Sequence, residues 1–167
     1  MKYIGNYKDE VDKNWYTECL TITGESMPKN VDSSETVSSK INQKLKDANY
    51  NLNNIFWWKI TSKDVSFDIS KLSWITGYKF NWWISKTMPG NFIPMHSDSI
   101  DSKEKNYKRY WVPLQDYTDG HVFIINGKMV TDYKFGDVFL FDSYKDIHGS
   151  ANISYEPRIT LQIWEIF

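Results

Sequence analysis

Cysteine is almost absent from this chain of 167 residues: there is one, Cys19, beside three histidines. A lone thiol excludes an internal disulfide framework and any zinc site built from several thiolates. An excess of one charge is missing too, with 20 Lys and Arg against 21 Asp and Glu for a net charge of -1. Nothing global therefore draws the chain to a phosphate backbone, and nucleic acid is not expected as its partner. The first fifteen residues, MKYIGNYKDEVDKNW, contain no apolar stretch, and nowhere do about 18 apolar residues run together. Neither a signal peptide nor a membrane span is read, and the expectation is a cytoplasmic protein of a reducing compartment, with no membrane partner. Repeats, low-complexity tracts and an interdomain linker are lacking as well, so residues 1–167 are expected to form one domain.

What is present is aromatic and β-forming. The chain holds 8 Trp, 11 Tyr and 9 Phe. Residues 25–34 (ESMPKNVDSS) read as a loop; Asp32 and Glu35 then form a capping pair, and Val37, Ile41 and Leu45 share one face, which predicts a helix near 33–48. A shorter helix is predicted at 68–75, opened by Asp68 and closed by Gly77. From Asn54 onward, β-branched and aromatic runs alternate with Gly, Pro, Asn and Asp. Strands are read near 55–61, 78–88, 92–96, 108–114, 120–126, 128–133, 137–142 and 157–166. Asn126-Gly127, between HVFII and KMVTD, supplies the two positive φ angles of a type I′ hairpin turn. Eight short strands after a helical lead-in predict a mainly β fold of two antiparallel sheets, with the N-terminal helices packed on one sheet and a catalytic core at about 55–167.

The last strand is unusual. Alternate positions place Arg158, Thr160, Gln162 and Trp164 on one face and Ile159, Leu161, Ile163 and Glu165 on the other. An arginine heading a row inside an apolar strand marks either a solvent-facing edge or a polar cavity that awaits an anion. His96 and Asp98 lie two residues apart, so on extended backbone both side chains point one way and can grip one ion. His148, after the hydrophobic strand DVFLFD, can complete two histidines and one carboxylate. That set occupies one face of an octahedral ion and leaves the opposite positions open. Arg158, ten residues beyond His148, could clamp a carboxylate beside such a metal.

Over residues 78–166 this order, HxD, then His, then Arg, resembles the Fe(II)- and 2-oxoglutarate-dependent oxygenases, whose fold is a double-stranded β-helix, a cupin-like jelly roll. Three segments look like the aspartyl/asparaginyl β-hydroxylase branch: SKTMPGNFIPMH ending at His96, RYWVPL from Arg109, and GDVFLFDS leading to His148. The resemblance implies that His96, Asp98 and His148 bind Fe(II) and that Arg158 pairs with the distal carboxylate of the co-substrate 2-oxoglutarate. It further implies that Ser85, Arg109 and Thr160 help to hold that co-acid. Two departures stand out. Asp98 occupies a position where mammalian members of the branch have a residue that cannot ligate, and Trp111 replaces a histidine. The activity implied is hydroxylation of a C–H bond in a peptide side chain or a small amino-acid-like substrate, with decarboxylation of 2-oxoglutarate to succinate. A carboxylate at Asp98 disfavours halogenation, which in this class needs that ligand position vacant for halide.

Two other readings compete. A cupin-type metal enzyme without a co-acid would show a HxH pair followed by Glu, where this chain has Asp98. A non-catalytic jelly-roll binding module would leave both histidines, Asp98 and Arg158 without a role. Of the remaining features, His121 is expected to be structural or solvent-facing. The pairs Trp57-Trp58 and Trp82-Trp83 are expected to put one ring on each sheet face. The polar loop 97–107 is read as a solvated segment or as a lid over the metal.

Overall fold

The structure is a computed structural model that describes residues 1–28, 43–44, 46–49, 54, 56–98 and 107–167. Its elements are β1 (Lys2–Asn6), α1 (Asn14–Thr21), β2 (Glu25–Pro28), β3 (Phe56–Ile60), a 3-10 turn (Ile69–Lys71), β4 (Lys79–Thr87), β5 (Phe92–His96), β6 (Tyr107–Pro113), β7 (His121–Ile125), β8 (Lys128–Met129), β9 (Asp137–Phe141), β10 (His148–Asn152) and β11 (Arg158–Ile166). They form a larger sheet in the order β1-β9-β6-β11-β4-β3-β2 and a smaller one in the order β5-β10-β7-β8. Neighbouring strands are antiparallel throughout. From β4 onward the chain alternates sheets: β4, β6, β9 and β11 join the larger, β5, β7, β8 and β10 the smaller. That winding is a double-stranded β-helix, the jelly roll expected from the strand count.

The two faces of the larger sheet have opposite chemistry. On the outer face Ile159, Leu161 and Ile163 are fully buried, each worth about 1.5–3 kcal/mol of transferred apolar surface. They pack with Ile84 and Val112 against Trp15 and Cys19 of α1 and against Phe67, Leu72 and Trp74. Burial pushes the Cys19 thiol up to about 12, so it is an inert core group. Lys86 also belongs to the outer face; its ammonium donates to the carbonyls of Cys19, Leu20 and Ile22 at 2.8–2.9 Å, and so closes the C-terminal end of α1. Between the inner face and the smaller sheet lies a second aromatic cluster, made of Trp111, Phe139 and Phe141 from the larger sheet, Phe123 from β7 and Tyr133 from the segment before β9.

The Asn126-Gly127 turn joins β7 and β8 as predicted, with φ values of 49° and 76°. Pro94, which has no N–H to give, sits in β5 at an edge of the smaller sheet. Four expectations change. The helix predicted at 33–48 falls largely outside the described residues, of which Gln43, Lys44, Lys46 and Asp47 are helical. The helix predicted at 68–75 is only the turn Ile69–Lys71, because the Ser73 N–H and hydroxyl bond the Glu10 carboxylate at 2.6 and 2.7 Å instead of extending the helix. The strand read at 128–133 stops at Met129; Val130 still bonds Phe123, but Asp132 has a φ of 61° that no strand accommodates. Finally, β1, β2 and β10 are strands that the sequence reading did not contain.

Candidate metal and anion site

β5 and β10 are adjacent in the smaller sheet, and their register sets His148 directly opposite His96. The two imidazole rings lie 4.4 Å apart, centre to centre. Asp98 follows two residues after His96, held by its own N–H on the Ser143 carbonyl at 2.8 Å. Its Oδ1 is 3.5 Å from His96 Nε2 and 3.9 Å from His148 Nε2. One ligand atom from each of the three residues falls within 4.8 Å of the others.

Backbone carbonyls decide which ring nitrogens face this cluster. His96 Nδ1 lies 2.7 Å from the Pro94 carbonyl and His148 Nδ1 2.9 Å from the Asp146 carbonyl. A carbonyl only accepts, so each Nδ1 donates to it, and each Nε2 is the ring nitrogen turned toward Asp98. Burial, and after it the neighbouring His96, push the His148 imidazole down to about 4, which keeps it in the ligating neutral form. Burial would raise the Asp98 carboxyl; the His96 contact, the Arg109 guanidinium and His148 outweigh it and hold the group well below the usual carboxylate range. Two imidazoles and one carboxylate are thus gathered on one side of a point in space. This donor set suits a divalent first-row metal and would leave its remaining positions open.

The cluster opens into a cavity of about 500 Å³ between the sheets, and Ser85, Arg109 and Arg158 line the same cavity. Arg158 begins β11, which is the centre of the larger sheet and not an edge, between β4 and β6. Its guanidinium lies over the rings of Trp111 (5.6 Å) and Phe123 (5.5 Å), and its Nε and Nη2 have no hydrogen-bond partner. Among the described residues no carboxylate forms an ion pair with it. Burial lowers the Arg158 and Arg109 pKa values, yet guanidinium remains charged. Arg109 is better supplied: it stacks on Trp83 at 4.2 Å and donates to Gln162 at 3.2 Å.

Thr160 differs from the role implied for it. It shares the inner face of β11, but it does not line the cavity; its hydroxyl accepts a bond from Gln162 Nε2 at 2.9 Å and so fixes the amide that holds Arg109. Gln162 was legible as part of the polar row, and its bridging role was not. Each Trp pair splits across the sheet as expected. Trp57 and Trp83 line the cavity, and Trp82 turns outward to stack on Phe67 at 6.0 Å. His121 is structural and fully buried, not solvent-facing, with Nε2 against the Glu156 carbonyl at 3.3 Å. Loop residues 99–106, read as a lid, lie outside the described residues.

Among the described residues no helix is long and apolar enough to cross a membrane. No family model and no curated protein matches the chain. Solved structures of similar shape include a predicted oxalate decarboxylase from Thermotoga maritima (23% identity, TM-score 0.38), over 52% of this chain and 66% of the other. A cupin protein from Bacteroides fragilis aligns at 18% identity and TM-score 0.39 over 55% and 68%. A cupin-superfamily sugar phosphate isomerase from Silicibacter pomeroyi aligns at 9% and 0.42 over 69% and 61%. At these scores the fold is read from the strand order above, and the chemistry from the chain's own residues.

Proposed function

We propose that the protein is a 2-oxoglutarate- and Fe(II)-dependent dioxygenase that hydroxylates a C–H bond of a peptide side chain or small amino-acid-like molecule. One observation carries this reading: a cluster of two histidines and one carboxylate shares a cavity with a buried arginine that has open donors and, among the described residues, no carboxylate partner. A metal site that receives no anionic ligand has no use for that arginine. An unpaired buried charge costs several kcal/mol, so its retention calls for an anionic ligand. His96, Asp98 and His148 would hold the metal, and Arg158 would receive the distal carboxylate of the co-acid, with Ser85 and Arg109 beside it. When bound, the metal and co-acid together supply the oxidising chemistry; the chain's share is to hold the acid, shield the site from water and aim the substrate.

The assay is succinate formation from 2-oxoglutarate with Fe(II), in the wild type and in His96→Ala. Loss of succinate in the variant is the expected result. Normal turnover in His96→Ala, or oxygen consumption by the wild type that is independent of 2-oxoglutarate, would overturn the assignment.

A further inference from the structure

Two of the three groups in the cluster take their positions from one short segment, residues 142–147, between β9 and β10. The Ser143 carbonyl accepts from the Asp98 N–H at 2.8 Å, and the Asp146 carbonyl accepts from His148 Nδ1 at 2.9 Å. The segment is folded on itself: the Asp146 N–H donates to the Asp142 carbonyl at 2.7 Å, and the Asp142 N–H donates to the Asp146 carboxylate at 3.0 Å. Whatever fixes this segment from outside therefore bears on His148 and Asp98 together.

One such support comes from the turn between β7 and β8. The β7–β10 ladder ends with Ile125 opposite His148. Asn126 extends it: its N–H donates to the Ile147 carbonyl at 2.8 Å, and its side-chain Oδ1 accepts from the Ile147 N–H at 3.0 Å. Its Nδ2 donates to the Asp146 carboxylate at 2.6 Å. The turn itself asks only for a residue that tolerates a φ of 49°, and glycine would serve. The two side-chain bonds are therefore not needed by the turn, and both end on the residues that immediately precede His148.

We infer that Asn126 is a positioning residue for the metal, its amide clamping Asp146 and Ile147 so that the Asp146 carbonyl keeps His148 Nε2 turned toward Asp98. The inference rests on the proposed function, in which His148 is a ligand, and adds to it a residue that the sequence marks only as part of a turn. A ligating histidine takes its orientation from the acceptor on its other ring nitrogen. Here that acceptor is a backbone atom, and its place is set by the bonds of the Asp146 carboxylate. That carboxylate must accept twice, from Asn126 Nδ2 on one oxygen and from the Asp142 N–H on the other, and it lies 3.8 Å from the Met1 ammonium.

Calorimetry on the full chain with Co(II), read together with the visible Co(II) bands, tests this. In Asn126→Gly, which keeps the turn and deletes the amide, the Co(II) Kd is expected to rise about tenfold, the low end of what outer partners of metal ligands contribute. Asn126→Asp sets two carboxylates against each other, and Asp146→Asn offers a donor where two acceptors are needed. Each is expected to weaken Co(II) binding and to shift its bands. Combining Asn126→Asp with Asp146→Asn restores all three bonds, the one between positions 126 and 146 with donor and acceptor exchanged. The combined variant is expected to return the Kd to within about threefold of wild type. Gly127→Ala strains the same turn at a φ of 76° and removes none of these bonds, so it is expected to lower the Tm and leave the Kd within about twofold. An unchanged Kd in Asn126→Gly, a combined variant no better than either single one, or equal weakening in Gly127→Ala would overturn the inference alone. Wild-type protein that binds no Co(II) would overturn it together with the metal reading beneath it.

Discussion

The two faces of the larger sheet each bury charged side chains, and they treat them in opposite ways. On the outer face Lys86 uses all three of its N–H donors on the carbonyls of Cys19 and Leu20 in α1 and of Ile22 just beyond it. Glu165, fully buried, accepts from the Thr76 and Gly77 N–H groups and from the Tyr110 hydroxyl at 3.0 Å. Gly77 permits that approach, because a Cβ there would lie 2.4 Å from Glu165 Cγ. On the inner face Arg158 leaves Nε and Nη2 without partners, and Arg109 leaves Nε. Burial is the same and saturation is not. A buried charge whose bonds are complete holds the fold together; one whose bonds are open is held ready by the fold, at a cost in stability.

The contrast breaks most sharply at Glu165. Glu165→Ala leaves two backbone donors and a buried hydroxyl without their acceptor, and should lower unfolding stability by about 4 kcal/mol in a denaturant melt. A loss under about 1 kcal/mol would mean that the outer-face charges are no more structural than the inner ones. Lys86→Met should cost about 3 kcal/mol, because it frees the last carbonyls of α1. Amide hydrogen exchange should then show residues 14–22 opening before the sheet does. Arg158→Met should go the other way: a side chain of similar length without the unpaired charge should stabilise the ligand-free protein by about 2 kcal/mol. The same variant should show no thermal shift with 2-oxoglutarate.

Much of this contrast is visible in the order of residues, and part of it is not. Along β11 the alternation of Ile159, Leu161 and Ile163 with Arg158, Thr160 and Gln162 already separates the faces, since a strand has period two whatever surrounds it. The HxD spacing placed His96 and Asp98 together for the same local reason. β10 escaped the sequence reading because HGSAN has no β-branched or aromatic residue; it is a strand because β5 and β7 supply hydrogen-bonding partners on both sides. β1, carrying a bulge between Tyr3 and Gly5, is likewise a strand through its pairing with β9, 130 and more positions away. Saturation, too, is invisible in sequence: Lys86 and Arg158 both read as a basic residue in an apolar strand, and only their partners tell them apart.

Arg109 is the intermediate case and gives the finest test. It sits on the inner face like Arg158, but it has one hydrogen bond to Gln162, a stacking contact with Trp83 and the favourable field of Asp98. These gains oppose the cost of burying the charge, so Arg109→Met should change ligand-free stability by only about 0.5 kcal/mol in either direction. The effect should depend on the cluster of His96, Asp98 and His148. In Asp98→Asn the carboxylate that attracts Arg109 is gone while the guanidinium stays buried, so adding Arg109→Met to that variant should stabilise it by about 1 kcal/mol. The double-mutant cycle thus reads the Arg109–Asp98 coupling directly, in apo protein and by chemical denaturation. A coupling of zero would place Arg109 with Arg158 as an unsatisfied charge. A large loss for Arg109→Met alone would place it with Lys86 and Glu165, and the division between the faces would no longer follow the sheet.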